Sequence, residues 1–376
     1  MNKQKKAGLI TQHRINNWGS FLQAYASQVF LEKILDCRCE VIDYQYPNDF
    51  QFKQGVKKNF SVRSFVAKIA GMFLLTQTSR KVLSLKKARK EYLHLTRPYN
   101  HWIDLHEDAP LYDFYVTGSD QTLNPKHTKG DLNFMFSWSK DRQGAYLSLA
   151  SSMATDAFPI EYEPAYRDAF RKYSLITVRE AHSAQYLSRL TGKQVHPIID
   201  PTLLLNREEW LNAFQNTKAR KIPYDNYILY YYINHSFHSE PYIWELLTKL
   251  QEKTGFRIIA LSRLPKVYER NVYYMRDANP KEFVELFANA SYIVTSSFHG
   301  TAFALNFGKL VYSVVPVNNE KQDSRQVNLL RLLGAESCIT PIGTSIDDLN
   351  CTYDVNFTNS LLQKEREHVF EYFANI

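Results

Sequence analysis

His299 is the residue whose type and position most favour chemistry. It follows a short apolar run, residues 292–294, that has the length of a buried parallel strand. Small polar residues come next, and a helical pattern begins at Thr301. A turn from strand to helix is where ligands gather in α/β proteins, and the N–H groups at a helix start favour an anion. Because imidazole titrates near neutrality, the pattern predicts proton transfer or an anion contact, with a buried structural histidine as the alternative.

Two further candidates also stand at the ends of predicted strands. Asp120 lies in a Gly-Ser-Asp-Gln turn just after the strand 114–116. Its carboxylate suits a base or a ligand of a sugar hydroxyl, and an Asx-turn is the alternative. Arg179 ends the strand 175–178, where its guanidinium offers a planar fork to a carboxylate or a phosphate. The alternative for Arg179 is an ion pair with Glu180 or another acid.

The elements that position these residues alternate as strands and helices in both halves of the chain. In the first half, a strand at 7–10 leads through a polar loop, 11–20, into a helix at 21–35 and a strand at 39–44. Asn17 and Ser20 in that loop either cap the helix or face a ligand. Residues 193–205, with Asp200 between two prolines, mark a crossover to the second half. There the predicted strands are 227–233, 256–261, 292–294 and 310–315, and the predicted helices are 242–251, 280–288 and 327–333. The pattern predicts an α/β fold of two Rossmann-like domains facing one cleft.

Composition limits the classes of function. The 376 residues are 44% hydrophobic and 22% charged, which is typical of a globular chain of two domains. No G-x-G-x-x-G fingerprint and no P-loop occur, which disfavours nicotinamide and ATP chemistry. The four cysteines lack metal-site spacing, so we expect no metal and free thiols. The basic start lacks a signal-peptide core, so a cytoplasmic location is expected. The net charge of +8 favours an anionic partner without naming one.

Residues 57–90 form a basic segment of unusual composition. It holds ten lysines and arginines and no acidic residue, interleaved with an apolar stretch at 65–75. Such a segment either packs on its domain as a solvated helical face or contacts an anionic membrane surface. Both interpretations are kept.

Four motifs together resemble the polysaccharide pyruvyl transferases. They are Asn-Trp-Gly-Ser-Phe-Leu-Gln-Ala-Tyr at 17–25, Gly-Ser-Asp-Gln at 118–121 with Asn124-Pro125, Asp-Pro-Thr-Leu-Leu at 200–204, and Thr-Ser-Ser-Phe-His-Gly-Thr at 295–301. A shorter match, Thr-Val-Arg-Glu, lies at 177–180. Each motif is short, but their order and spacing from about residue 9 to residue 334 are specific.

The resemblance implies a GT-B-like fold, with an N-terminal domain at 1–195 that carries a basic helical insertion at 57–100, and a C-terminal domain at 196–356. A final helix, 357–376, is expected to return to the N-terminal half. The implied reaction moves the pyruvyl group of phosphoenolpyruvate, the donor substrate, onto two hydroxyls of a sugar in a capsular or other cell-surface glycan precursor. The product is a cyclic ketal, and no cofactor is implied. The acceptor is expected to be a lipid-linked oligosaccharide at the inner face of the membrane, which residues 57–90 would contact.

The resemblance also assigns roles. His299 and Asp120 are the expected acid and base, in an order that the sequence leaves open. Some members of the family carry an arginine where this chain has Ser297, so the guanidinium for the anion is expected from Arg179 or Arg325. The other expected substrate-binding residues come from the same motifs: Asn17, Gly19, Ser20, Gln23, Gly118, Ser119, Gln121, Asn124, Ser296, Ser297, Gly300 and Thr301.

Two other functions remain open at this point. A nucleotide-sugar glycosyltransferase of the GT-B class has the same two halves but needs a pocket for a nucleoside. A non-catalytic nucleic-acid or membrane-binding protein fits the basic charge, but no nucleic-acid module is recognisable, so no nucleic acid is expected as a partner.

Overall fold

A computed structural model of the chain describes residues 4–45, 76–139, 143–233, 237–316 and 325–376. These residues form two compact units. Unit 1 contains the described residues before Thr76, then Lys86–Leu204 and Glu367–Ile376. Unit 2 contains Thr76–Leu85 and Leu205–Arg366. Much of the basic segment and most of the polar loop expected at 320–325 lie outside the described residues.

The helices, in chain order, are α1 (Trp18–Ile34), α2 (Gln77–Tyr92), α3 (Asp104–Glu107), α4 (Pro125–Thr128), α5 (Glu163–Phe170), α6 (Ala181–Thr191), α7 (Arg207–Asn212), α8 (Tyr242–Thr254), α9 (Pro280–Asn289), α10 (Phe298–Asn306), α11 (Arg325–Leu332) and α12 (Val355–Ala374). The short helices Leu132–Met135, Pro201–Leu203, Lys266–Tyr268, Glu336–Cys338 and Ile346–Asp348 are of the 3₁₀ type. Within the described part of the chain, no helix has the length and apolar character needed to cross a membrane.

Unit 1 is built on a parallel sheet of six strands. They are β1 (Lys5–Ile10), β2 (Cys37–Val41), β3 (Phe114–Thr117), β4 (Ala145–Ser148), β5 (Tyr173–Val178) and β6 (Val195–Pro197). Their order across the sheet is β2-β1-β3-β4-β5-β6. Every residue of β3 is buried, as expected of a strand covered by helices on both faces. Asn17 caps α1 through a 2.9 Å hydrogen bond from the Gly19 N–H to its side chain, which fixes where the helix begins.

Unit 2 repeats this architecture with another strand order. Its strands are β7 (Tyr227–Tyr231), β8 (Arg257–Ala260), β9 (Val272–Tyr274), β10 (Tyr292–Thr295), β11 (Leu310–Val315) and β12 (Ile339–Pro341). All pair in parallel, in the order β12-β11-β10-β7-β8-β9. Helix α9 begins with Asn279 and Glu282 in a capping box and a proline in its first turn. Phe283 and Phe287 of α9 then pack on Tyr231 at the end of β7.

Each sheet has one point where the strand order reverses direction. In unit 1 it lies between β1 and β3, and in unit 2 between β7 and β10. At such a switch point the loops after the two neighbouring strands run to opposite faces of the sheet and leave a crevice, where α/β proteins bind ligands. The loops that follow β1, β3 and β10 carry most of the candidate residues from the sequence.

The predicted α/β class is confirmed, with two Rossmann-like units. The end of α12, from Glu367, belongs to unit 1 with the two residues that follow it. There Phe370 and Phe373 pack on Phe30 of α1, as expected for a helix that returns to the N-terminal half. The expected start of α10 at Thr301 was wrong, because the helix begins at Phe298 and Ser297 caps it. The strands β6, β9 and β12 were missed. Each has three residues, too few for a period-2 pattern to appear.

Candidate functional site

Ser20 and Asp120 meet at the switch point of unit 1. Ser20 lies in the first turn of α1, after the β1 loop, and its hydroxyl donates to Asp120 Oδ2 across 3.2 Å. Asp120 has a φ of +70°, in the left-handed region that few residues other than glycine adopt. Its carbonyl oxygen accepts from the N–H groups of Thr122 and Ser152, each at 2.9 Å, which holds this backbone in place. Such an over-determined backbone is a feature of functional sites and motivates a role for Asp120.

Arg179 lies beside Asp120 in a buried group of charges. Its Nη1 donates to Asp200 Oδ2 at 2.7 Å, while Glu180 and Asp120 carboxylate oxygens lie 3.7 and 3.9 Å from its Nε and Nη2. Only 3% of the Arg179 side chain is exposed. Burial by itself lowers the pKa of Arg179, but the carboxylates of Asp200, Glu180 and Asp120 raise it above its usual value. The ion pairing with acids, which the sequence left as the alternative for Arg179, is therefore present.

Asp200 organises this group, and the sequence reasoning did not select it as a site residue. Its Oδ2 accepts from Ser119 Oγ at 2.9 Å and from Arg179, while its Oδ1 accepts from the N–H and the hydroxyl of Thr202 at 2.9 and 2.7 Å. The side chain is fully buried. The signal in the sequence was the Asp-Pro-Thr motif, which marked a crossover between the two halves. It did not point to a partner 21 residues earlier in the chain.

Other candidates of unit 1 use their polar atoms inside the unit. Gln23 has no exposed surface, and its amide nitrogen donates to Thr11 Oγ1 and to the Ser20 carbonyl, both at 3.0 Å. Asn124 caps α4 through the Lys126 N–H and donates to Gln121 Oε1 at 2.7 Å. These contacts brace the loops that hold Ser20 and Asp120.

Gly118 is required by the close approach of β1. A Cβ at this position would lie 2.8 Å from both Leu9 Cδ1 and Thr11 Cβ, closer than real carbon contacts allow. The Gly118 N–H also donates to the Ile10 carbonyl at 2.9 Å. The glycine thus lets the loops after β1 and β3 touch, which brings Ser20 and Asp120 together.

The β1 loop contains a second buried charge group that the sequence reasoning missed. The ring of His13 has no exposed surface, with Nε2 2.9 Å from Asp43 Oδ1 and Nδ1 3.1 Å from the Thr11 carbonyl. Arg14 Nε donates to the same Asp43 oxygen at 2.6 Å. Burial by itself raises the pKa of Asp43, but the hydrogen bonds from His13 and Arg14 lower it well below its usual range. This group anchors the loop to the residues that follow β2.

Unit 2 places its candidates at its own switch point. Ser296 Oγ donates to the Ile233 carbonyl at 2.9 Å and accepts from the Ile233 N–H at 3.0 Å, which ties the loop after β10 to the end of β7. Ser297 caps α10 by accepting from the Gly300 N–H at 3.3 Å. Thr301 Oγ1 lies 2.8 Å from Ser313 Oγ on β11. The start of α10 is therefore fixed to three neighbouring strands.

Gly300 lets α10 pass directly over β10. A Cβ at Gly300 would lie 2.3 Å from Thr295 Oγ1. That hydroxyl is itself fixed, because it donates to the Tyr231 carbonyl at 2.6 Å and accepts from the Ser297 N–H at 3.0 Å. The glycine of the His-Gly pair is thus a packing requirement at the turn that presents His299.

His299 and Arg325 both lie against the ring of Phe298. His299 is in the first turn of α10, 8% exposed, with its ring centroid 5.4 Å from that of Phe298. The guanidinium carbon of Arg325, the first residue of α11, is 5.8 Å from the same ring. An imidazole in the first turn of α10 and a guanidinium from α11 therefore lie near one aromatic ring in unit 2. This combination attracts an anion.

No three or more His, Cys, Asp or Glu side chains come together as metal ligands in the part of the chain that the structure describes.

Comparison with protein-family models assigns the chain to a family. The model described as polysaccharide pyruvyl transferase matches residues 17–316. This match runs from the cap of α1 to the end of β11 and includes every candidate residue except Arg325. The chain belongs to the polysaccharide pyruvyl transferase family. No match was found among curated protein sequences.

Solved structures share the fold of this family member at low sequence identity. A protein from Listeria monocytogenes assigned as a UDP-N-acetylglucosamine 2-epimerase is 10% identical, with a TM-score of 0.51 over 98% of this chain and 91% of its own. UGT89C1 from Arabidopsis thaliana, in complex with UDP-L-rhamnose, is 10% identical with a TM-score of 0.49, and both chains are covered completely. The Escherichia coli heptosyltransferase WaaC is 11% identical with a TM-score of 0.41, over 96% of this chain and 99% of its own. The likeness to the Listeria protein shows the GT-B-like fold and nothing about substrates.

Proposed function

We propose that the protein transfers the pyruvyl group of phosphoenolpyruvate onto two hydroxyls of a sugar in a cell-surface or capsular polysaccharide precursor. The observation that carries the proposal is that the family motifs lie at the switch points of two Rossmann-like sheets. There Ser20 contacts Asp120 in unit 1, and His299 and Arg325 each lie beside Phe298 in unit 2. The family match supports a pyruvyl transferase in general. The proposal goes beyond this match by naming the donor, the ketal product and the acceptor.

The reaction fixes which groups are needed. One sugar hydroxyl adds to C2 of phosphoenolpyruvate while C3 gains a proton and becomes a methyl group. The C2–O bond to phosphate then breaks, the second hydroxyl closes the ketal, and its proton leaves with the phosphate. A site for this reaction therefore requires a base for a hydroxyl, an acid for C3, and cations or N–H donors for a carboxylate and a phosphate.

In unit 1, we assign the hydroxyl chemistry to Asp120. It is 9% exposed, and Ser20 orients its Oδ2 from one side while Arg179 lies on the other. We assign Arg179 a positioning role, in place of the anion fork expected from the sequence. A phosphate near its guanidinium would also lie near the carboxylates of Asp200 and Glu180, and that repulsion offsets the attraction.

In unit 2, we assign proton transfer or the phosphate contact to His299 and the anion fork to Arg325. Ser297 and the first N–H groups of α10 assist, because a helix start favours negative charge. In this proposal Arg325 takes the role of the arginine that some relatives have at the position of Ser297, so the guanidinium would come from α11 and not from the turn itself.

The deciding experiment measures phosphate release from phosphoenolpyruvate, with and without a pool of lipid-linked oligosaccharides from a capsule-producing bacterium. We expect acceptor-dependent release, a new ketal methyl signal in the product, and a loss of at least about 100-fold in His299→Ala. His238→Ala is the matched control, because that histidine is also in unit 2 but 83% exposed.

A different outcome would redirect the proposal. A thermal shift with a nucleoside diphosphate but none with phosphoenolpyruvate would favour a nucleotide-sugar glycosyltransferase instead. Phosphoenolpyruvate binding without phosphate release would support phosphoenolpyruvate as the donor and indicate that the pool lacks the acceptor.

We also propose that the basic segment brings the enzyme to an anionic membrane, where a lipid-linked acceptor would lie. The described part of the segment includes α2, whose Lys86, Lys87 and Lys90 are exposed. They share one face of the helix with Leu83, which is 54% exposed. Exposed lysines beside an exposed leucine suit a surface of anionic headgroups.

A further inference from the structure

A cavity of about 420 Å³ lies in unit 2, lined by residues that the proposed chemistry does not use. Its lining consists of Glu245, Thr248, Lys249, Tyr268, Ser345, Ile346 and Asp347. The first three are one face of α8, spaced at i, i+3 and i+4. The others come from two 3₁₀ turns, Lys266–Tyr268 and Ile346–Asp348, and from Ser345, which precedes the second. The volume is in the range of small-molecule pockets.

The aromatic part of this cavity is held rigidly. The ring of Tyr268 lies against the indole of Trp244, with 5.5 Å between centroids. Trp244 Nε1 donates to Tyr230 Oη at 3.1 Å, and the rings of Tyr230 and Tyr232 stack at 6.3 Å. Tyr268, the aromatic wall of the cavity, is thus linked through Trp244 to Tyr230 in the buried strand β7. A ring fixed in this way loses little side-chain entropy when a ligand packs on it.

The polar part of the cavity has paired donors and acceptors. Lys249 Nζ lies 2.8 and 2.7 Å from the two carboxylate oxygens of Asp347. Glu245, which forms no ion pair among the described residues, and Ser345 add a carboxylate and a hydroxyl to the lining. The three charged side chains sum to one negative charge. Two carboxylates and a lysine already paired with one of them repel a phosphate or a carboxylate ligand.

An apolar ring face beside hydroxyl, ammonium and carboxylate groups matches a ligand that is apolar on one face and carries hydroxyls around its edge. We propose that this cavity is a binding site for a neutral saccharide, a second contact for the glycan acceptor away from the reacting hydroxyls. The choice of a saccharide among neutral ligands rests on the proposed function. The cavity, its aromatic wall and its charge are observed in the structure and are independent of that function.

The test measures binding directly and needs no turnover. The full-length protein is labelled with 5-fluorotryptophan, and the Trp244 resonance is assigned by its loss in Trp244→Phe. Galactose, glucose, mannose and their N-acetylamino forms are titrated to millimolar concentration, with phosphoenolpyruvate and UDP as anionic probes. We expect at least one saccharide to shift the Trp244 resonance saturably and neither anion to do so. Tyr268→Ala should raise the Kd for that saccharide by about tenfold.

Tyr273→Ala is the matched control, because Tyr273 is a 37% exposed tyrosine of unit 2 that does not line the cavity. It should bind the saccharide as the unchanged protein does. Thermal melts of both variants check that they are folded. No shift with any saccharide would overturn the proposal, as would a shift with UDP or phosphoenolpyruvate, or an equal loss in both tyrosine variants.

The two proposals fail separately. Saccharide binding at Trp244 with neither phosphoenolpyruvate binding nor phosphate release would leave this site standing and reject pyruvyl transfer. Acceptor-dependent release without saccharide binding at Trp244 would do the reverse. When both hold, Tyr268→Ala should raise KM for the glycan acceptor by about tenfold and leave kcat and KM for phosphoenolpyruvate unchanged.

Discussion

The guanidinium of Arg179 donates to the carboxylate of Asp200 across 2.7 Å, and the two side chains are only 3% and 0% exposed. Ser119 and Thr202 also donate to Asp200, so its carboxylate accepts from three residues. Arg179 is in turn 3.9 Å from Asp120 Oδ1. Asp200 therefore acts on Asp120 through Arg179, and this chain of contacts makes Arg179 part of the frame that orients the proposed base.

Asp200→Asn should lower kcat while leaving phosphoenolpyruvate affinity nearly unchanged. The substitution removes the negative charge that is paired with Arg179. The guanidinium should then turn towards Glu180 and Asp120 and pull Asp120 out of position. We expect kcat to fall by about 10- to 100-fold, with Kd for phosphoenolpyruvate within about threefold of the unchanged protein. Turnover per folded molecule and a phosphoenolpyruvate titration measure the two quantities. A Kd raised as strongly as kcat falls would instead return Arg179 to the role of an anion ligand.

Ser20→Ala should reduce activity by about 10- to 150-fold without unfolding the loop. It removes one hydrogen bond to Asp120 Oδ2, which to a charged group is worth about 1.5–3 kcal/mol. Ser27→Ala is the control on the same helix, since its buried hydroxyl donates only to the Gln23 carbonyl at 2.7 Å. Steady-state kcat of both variants is the measurement. Equal activity of Ser20→Ala and the unchanged protein would show that Asp120 is oriented without Ser20.

Arg325→Met should weaken phosphoenolpyruvate binding by about 10- to 100-fold. Methionine keeps an unbranched side chain against Phe298 but removes the charge that the anion is proposed to meet. Arg331→Met is the control, because Arg331 is exposed on the same helix. Calorimetric titration with phosphoenolpyruvate gives the Kd of each variant. Equal losses in both would indicate a long-range charge effect and not a contact.

Replacing Lys86, Lys87 and Lys90 by glutamate should abolish binding to anionic vesicles. Each basic residue near such a surface contributes about 1 kcal/mol, so reversing three charges lowers the partition coefficient by at least about 100-fold. Sedimentation with phosphatidylglycerol-containing vesicles is compared with pure phosphatidylcholine vesicles. Lys218, Lys253 and Lys364, all exposed, changed to glutamate form the control with the same net charge. Binding by the unchanged protein to neither vesicle, or to both equally, would contradict membrane contact.

The architecture was predictable because its strongest strands are long apolar runs separated by helical patterns. β3, β7, β10 and β11 were all recognised, since each is buried along most of its length. From these strands and the intervening helices, the two parallel sheets follow. The strand order within each sheet could not be predicted, because it depends on which strands pair, and a single run of residues does not show this.

The candidate site was predictable in its residue types and less so in its partners. Asp120, Ser20 and His299 lie at switch points, because each follows a strand that flanks the point where the strand order reverses. Arg179 and Asp200 show the limit, because a guanidinium after a strand suits an anion or a buried acid equally. Only the fold reveals that Asp200 lies 2.7 Å away. The partly buried pair of His13 and Asp43, 30 positions apart, was not predicted for the same reason.

Asp43→Asn should destabilise the protein near neutral pH by an amount that shrinks in acid. The pKa of Asp43 lies below its usual value in the folded protein, so its stabilisation is fully present above the unfolded pKa of about 4 and is lost as the pH falls below it. At pH 7 the loss of charge beside His13 and Arg14 should lower Tm by a few degrees. Thermal melts between pH 2.5 and 7 should show the two proteins converging below about pH 4. Asp36→Asn is the control, because Asp36 is exposed and has a φ of +44° that asparagine also adopts, and it should follow the unchanged protein throughout. A constant difference for Asp43→Asn at every pH would mean that the loop is held by the shape of the side chain and not by its charge.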